Sequence, residues 1–217
     1  MKVKICGLRS RADLAAAAAA GATYGGLVFF PPSPRHMSLA DLGWVAEERP
    51  AGLALVALTV DARDAELEGI VEAIPIDIMQ LHGAESPERV AEVRERFGKP
   101  VMKAVGVADE GDLDGLPDYA DVVDMLLIDA RPPRNAVLPG GNGIAFDWRL
   151  IQGRHWPAPW MLAGGLTPDN VAEAVRLTGA EQVDVSSGVE FARGIKDPLR
   201  IAAFLRAANA TSGAPVR

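Results

Sequence analysis

The chain has 217 residues and a single cysteine, Cys6, which closes the apolar run Val3–Cys6 and is followed by Gly7. A thiol can abstract a proton only as thiolate. Its free pKa is about 8.5, so a positive field must lower it. The alternative is a buried, inert cysteine, and no lysine or arginine stands out in the sequence as the neighbour that would supply the field. A second candidate is Asp129, which follows Met125-Leu126-Leu127-Ile128. Apolar surroundings favour the neutral acid, the form a proton donor needs. Otherwise Asp129 is a surface aspartate opening a loop. An acid and a base with pKa values pushed apart can shuffle protons without a cofactor.

Other residues read as grips for anions. Gly164-Gly165 and Ser186-Ser187-Gly188 each follow an apolar run. Glycine lets backbone N–H groups approach an anion closely, and serine adds hydroxyl donors. The segment Val189–Phe191 is expected to add a short helix whose N-terminus faces the same concavity. The plainer reading is that these glycines only turn the chain. Arg35 lies in a proline-rich loop, PPSPRH, and its planar fork suits a carboxylate; a solvated loop arginine is the alternative. His82 ends another run, as a ligand contact or as a satisfied core histidine, and Asp184 lies within the last run. No His/Cys/Asp/Glu group has metal-ligand spacing, so no metal is expected.

Eight strand-like runs could position these residues: 3–6, 24–30, 53–60, 76–82, 100–107, 124–130, 160–165 and 182–187. They are nearly continuous apolar stretches, as in parallel strands buried on both faces. Helix signals lie between them. Ser10 with Asp13 and Ser38 with Asp41 resemble capping boxes. Ser86-Pro87, Thr167-Pro168 and Asp197-Pro198 each place an N-cap residue before a first-turn proline. The alanine run 15–20 reads as a helix stopped at Gly21. Eight strand–helix alternations predict a single-domain (β/α)8 TIM barrel over residues 1–208, with 209–217 as a frayed tail. An open doubly wound sheet is the runner-up, but the first strand–loop–helix lacks G-x-G-x-x-G. In a barrel, residues at the C-terminal strand ends share one mouth, where phosphate often binds after strands 7 and 8.

Composition narrows the function classes. Hydrophobic residues make up 49% of the chain, enough for a large core. Lys+Arg 22 against Asp+Glu 29 gives a net charge of −7, which argues against nucleic acid as a partner. One cysteine allows no internal disulfide. No signal peptide or membrane-length apolar run is visible, so a cytoplasmic protein away from membranes is expected.

The motifs KICGL (4–8), GLVFFPPSPRHMS (26–38), QLHG (80–83), KAVGV (103–107), LIDA (127–130), GGNGIAFDW (140–148), GGLTPDNV (164–171) and DVSSGVE (184–190) together resemble the phosphoribosylanthranilate isomerase family. The resemblance covers about residues 2–206. It implies a TIM barrel of tryptophan biosynthesis that performs an Amadori rearrangement of N-(5-phosphoribosyl)anthranilate without a cofactor. It further implies Cys6 as general base and Asp129 as general acid. Arg35 would face the anthranilate carboxylate, and the loops of Gly164, Gly165, Ser186, Ser187 and Gly188 the phosphate. His82 and Asp184 join the substrate-binding set. A monomer or homodimer is expected.

The sequence departs from the family at Ile144-Ala145, where relatives often carry a polar or basic residue, and in a long proline-rich loop over 131–143. Asp61 stands where asparagine is common. Two other readings are another phosphosugar barrel with wider amino-sugar scope, and a non-catalytic barrel that binds a phosphorylated metabolite.

Overall fold

The computed structural model describes residues 1–131, 140–141, 143 and 145–210. Most of the 131–143 loop, Ile144 and the tail from 211 lie outside the described residues. All eight apolar runs are strands: β1 (Lys2–Cys6), β2 (Tyr24–Phe29), β3 (Ala54–Thr59), β4 (Ile78–Leu81), β5 (Val101–Val107), β6 (Met125–Ala130), β7 (Trp160–Leu162) and β8 (Gln182–Val185). Each pairs in parallel with its sequence neighbour, and β1 also pairs with β8 to close the barrel.

The period of two along each strand decides which residues enter the barrel. Val3, Ile5, Leu55, Ala57, Leu126 and Ile128 belong to the outer core under the helices. The residues between them point inward, and Val56, Met102, Leu127 and Met161 form the inner core. The same alternation sends Lys4 with Cys6, Gln80 with His82, Leu127 with Asp129, and Asp184 with Ser186 to the interior and mouth.

Helices cover the barrel: α1 (Arg11–Ala19), α2 (Gly43–Glu47), α3 (Asp64–Ala73), α4 (Pro87–Phe97), α5 (Val171–Thr178) and α6 (Pro198–Ala210). Their starts follow the capping chemistry in part. Ser10 and Ser86 accept from the backbone N–H groups of Asp13 and Arg89, and Asp197 accepts from Leu199 N and Arg200 N. Ser38 instead donates to Asp41 (2.8 Å) beside a 3₁₀ turn. Helix α5 begins three residues after Pro168, because Asn170 Oδ1 accepts from Thr167 N (2.7 Å) and holds a turn there. No described helix is long and apolar enough to cross a membrane.

Three expected helices differ. The described crossovers after β5 and β6 form 3₁₀ turns at Glu110–Leu113, Leu116–Tyr119 and Trp148–Ile151. Gly111, Gly115 and Pro117 interrupt the first crossover too often for an α-helix to propagate. The segment 189–191 is not a helix either. A 3₁₀ turn (Ser187–Val189) leads into a hairpin of β9 (Glu190–Ala192) and β10 (Ile195–Lys196). Three residues cannot offset helix nucleation, whereas Gly194, at φ +80°, turns the chain back to pair with itself.

Candidate active site

Two adjoining hollows open where the strands end. Both reach Asp129, Gly140, Gly141, Asp184 and Ser186. The first is polar and is completed by Gly164, Gly165 and Ser187. The second has an apolar wall of Val28, Phe30, Leu58 and Val60, with Cys6, Arg35 and His82 around it. The barrel thus brings the sequence-predicted residues from six strands into one cleft, with Asp129 and Asp184 at the junction.

The polar hollow depends on missing side chains. Gly164 and Gly165 have φ of +86° and +62°, conformations that glycine adopts without strain. A Cβ on Gly164 would also lie 2.6 Å from the Ala130 nitrogen. Gly188 acts differently from its expected place in an anion grip. A Cβ there would lie 1.9 Å from the Leu166 carbonyl oxygen, so Gly188 locks the loop after β8 against the loop after β7.

Asp129 is buried, and Oδ1 accepts from the Ala130 N–H at 2.8 Å. Its Oδ2 lies 3.4 Å from His82 Nε2, and His82 Nδ1 lies 2.9 Å from the Gln80 amide nitrogen. Gly140 packs directly over this pair: a Cβ would come within 2.6 Å of Asp129 Oδ2 and 2.8 Å of His82 Nε2. Buried charges fix the loop that carries His82. Lys103 donates to Gly83 O (2.7 Å) and Glu85 (2.9 Å), and Glu85 accepts from the backbone N–H of Gly83 and of Asp61. Asp61 is accounted for here. It holds φ +48°, a left-handed conformation that Asn and Asp tolerate best, and its Oδ1 accepts from Ala84 N at 2.7 Å. It ties the β3 loop to the β4 loop.

Cys6 has the cationic neighbours that the sequence reading did not find. Lys4 and Cys6 lie on the same face of β1, two residues apart. The Lys4 Nζ and Cys6 Sγ atoms are each 3.1 Å from the point a Gly26 Cβ would occupy. Lys4 is fully buried and donates to Asp184 Oδ1 at 2.9 Å. Burial works against its ammonium, but Asp184 and Cys6 outweigh burial and hold Lys4 above the ordinary lysine range. Burial pushes the Cys6 thiol above its ordinary range; Lys4 and Lys196 offset part of this, and Asp184 adds to the rise.

Arg35 is not a solvated loop residue. It is buried, and its Nε and Nη2 grip Glu190 at 2.7 and 2.9 Å. One edge of the fork expected to meet a ligand carboxylate therefore meets a protein carboxylate, and Nη1 lies towards Gly141. Glu190 also accepts from Lys196 Nζ (2.9 Å) and Gly194 N (3.0 Å). Burial raises the Glu190 carboxyl, but Arg35 and Lys196 outweigh it and leave it below the usual range. The Arg35–Glu190–Lys196 group is buried beside the cleft, and burial pulls the Lys196 ammonium below the ordinary lysine range although Glu190 opposes it.

Lys4, Glu190 and Lys196 were missed in the sequence. Lys4 had a signal, since it stands two residues before Cys6 on the same strand. Glu190 and Lys196 had none, because their role follows from a hairpin read there as a helix.

The family model for N-(5'phosphoribosyl)anthranilate (PRA) isomerase matches residues 3–207. The N-(5'-phosphoribosyl)anthranilate isomerase of Cereibacter sphaeroides is 67% identical over 209 residues, covering 96% of this chain and 99% of the relative. The crystal structure of phosphoribosyl anthranilate isomerase from Thermotoga maritima is similar at 32% identity and TM-score 0.86, covering 97% of this chain and 99% of that one. A phosphoribosyl anthranilate isomerase in complex with reduced 1-(o-carboxyphenylamino)-1-deoxyribulose 5-phosphate is similar at 31% identity and TM-score 0.82, with 97% and 99% covered. On the match over nearly its whole length and on the high identity, this chain belongs to the N-(5'-phosphoribosyl)anthranilate isomerase family.

Proposed function

We infer how this chain carries out the reaction of its family, the isomerisation of N-(5-phosphoribosyl)anthranilate to 1-(2-carboxyphenylamino)-1-deoxyribulose 5-phosphate in tryptophan biosynthesis. The observation that carries the assignment of roles is the position of Asp129. It stands where a polar, glycine- and serine-lined hollow meets an apolar hollow containing Cys6 and Arg35. The substrate has the same layout: a phosphate at one end, a ribose in the middle and an anthranilate ring with its carboxylate at the other.

The phosphate lies against Gly164, Gly165, Ser186 and Ser187, where backbone and hydroxyl donors converge. Gly188 holds that loop in place. The aromatic ring packs on Val28, Leu58 and Val60, and its carboxylate meets Nη1 of Arg35, the part of the guanidinium that Glu190 does not engage. Holding both ends sets the ribose at the acid and base.

Asp129 protonates the ring oxygen, and the C–O bond opens to a cationic imine. The imine acidifies the neighbouring carbon. The Cys6 thiolate takes that proton, the C–H electrons form a carbon–carbon double bond to the imine carbon, and the C=N π electrons return to nitrogen, which is neutralised as an enolamine. Tautomerisation gives the ketone. His82 orients Asp129 from the side opposite the Ala130 N–H, and Asp184 fixes Lys4 beneath the site. No cofactor enters these steps. A monomer or homodimer in the cytoplasm fits this role.

The test is turnover of Cys6→Ala and Asp129→Asn, followed by loss of substrate anthranilate fluorescence. Each proton transfer is worth about 10²–10⁴-fold, so kcat should fall by that much in each variant while circular dichroism and thermal unfolding stay close to wild type. Near-normal turnover in either variant removes its assigned role.

A further inference from the structure

We propose that Lys4 is a positioning residue for the base: its buried ammonium is the counter-charge that makes a Cys6 thiolate available, and Asp184 sets how strongly it acts. The inference rests on the reading of Cys6 as base. Its geometric support is independent of that reading.

A buried lysine is rare unless something specific pairs with it. Lys4 is completely enclosed, on the inner face of the barrel. Its hydrogen bond to Asp184 Oδ1 uses one of three N–H donors. One turn of the pleat further along the strand, the Cys6 sulfur stands on the same face. Both Nζ and Sγ border the space left open by Gly26, so they are at most about 6 Å apart, within the range where an opposite charge shifts a titration. Gly26 leaves room for this approach, since a Cβ would sit tightly at 3.1 Å from each atom.

The other charged groups facing Cys6 can be ranked. Asp184 on β8 disfavours the thiolate, and Lys196 on β10 favours it, less than Lys4 does. Arg35 is engaged by Glu190, and His82 and Asp129 line the same hollow. Lys4 is therefore the dominant stabilising charge. Asp184 competes with the thiolate for the same ammonium. A substrate hydroxyl that drew the Asp184 carboxylate towards itself would release Lys4 to Cys6 at the moment a base is needed.

The test uses the intact chain and the fact that Cys6 is its only cysteine. Iodoacetamide alkylation, followed by mass spectrometry across a pH series, then reports this thiolate alone. Lys4→Met should slow alkylation at neutral pH about tenfold and move its pH profile to higher pH. Asp184→Asn should do the opposite. If Lys4→Met does not fold because Asp184 is left unpaired, the charge-neutral Lys4→Met/Asp184→Asn variant decides. It should still alkylate more slowly than wild type, because the Lys4 contribution exceeds that of Asp184. Alkylation at the wild-type rate and pH profile in the folded variant overturns the proposal. This readout does not involve turnover: failure of the base assignment would show instead as an active Cys6→Ala enzyme, while the Lys4 and Asp184 variants of the cysteine-bearing chain still shift alkylation as expected.

Discussion

Replacing Glu190 by glutamine should separate the ionic support of Arg35 from its shape. The wild-type carboxylate accepts from four N–H groups: Arg35 Nε at 2.7 Å, Arg35 Nη2 at 2.9 Å, Lys196 Nζ at 2.9 Å and Gly194 N at 3.0 Å. Glutamine keeps one acceptor oxygen for Arg35 Nε and Lys196. Its NH₂ then faces Nη2 and the Gly194 N–H, donor against donor. A lost charge-assisted bond costs about 1.5–3 kcal/mol and an orphaned buried N–H about 1–3 kcal/mol. Glu190 is only 5% exposed, so solvent screens little of this. The sum is about 2.5–6 kcal/mol, which brackets the range of about 3–5 kcal/mol seen when one partner of a buried ion pair is removed. With a urea slope of about 3 kcal/mol/M, a loss of about 3–5 kcal/mol should lower the unfolding midpoint by roughly 1–1.7 M. Arg35 loses the group that orients it, so KM should rise at least about tenfold with a smaller change in kcat. A midpoint loss equivalent to under about 1 kcal/mol together with an unchanged KM would refute the argument.

Other expectations follow from the same structure. The stability gap between wild type and Glu190→Gln should depend on pH. The folded carboxyl titrates below its unfolded value of about 4.3. Its contribution is therefore complete above about pH 5 and lost as pH falls through the folded value, so the gap should be smaller in urea titrations at about pH 3 than at about pH 7. Gly188→Ala forces a Cβ into the Leu166 carbonyl and should lower stability by about 3 kcal/mol, read as a drop in Tm; an unchanged Tm would mean the loops after β7 and β8 are not locked there. At Asp61, asparagine should be nearly neutral, whereas Asp61→Val should lose about 1–3 kcal/mol in urea unfolding, because a β-branched residue is strained at positive φ and cannot accept from Ala84 N.

The barrel was legible in the sequence for a simple reason. A strand buried on both faces must be apolar almost throughout, and a chain that alternates eight such runs with helix signals has few other ways to bury them. All eight runs became strands, and their ends carried Cys6, His82, Asp129 and Asp184 to one mouth. Lys4 was legible in principle, since strand alternation alone places it beneath Cys6. A lysine inside a barrel is costly enough that composition-level reasoning sends it outward. Only its ion pair with Asp184, 180 residues away in the chain, makes the inward position stable.

What the tertiary structure alone decided is the company each functional group keeps. Gly194 lets the chain turn back within 187–196, but the grip of Glu190 on Arg35 joins residues 155 apart in the chain and exists only in the folded barrel. The sequence by itself determined which residues reach the mouth, because periodicity and burial are local properties of the chain. The charge state each group can hold there depends on ion pairs and on gaps such as the one at Gly26. Those arise only when β1, β2 and β8 close beside one another.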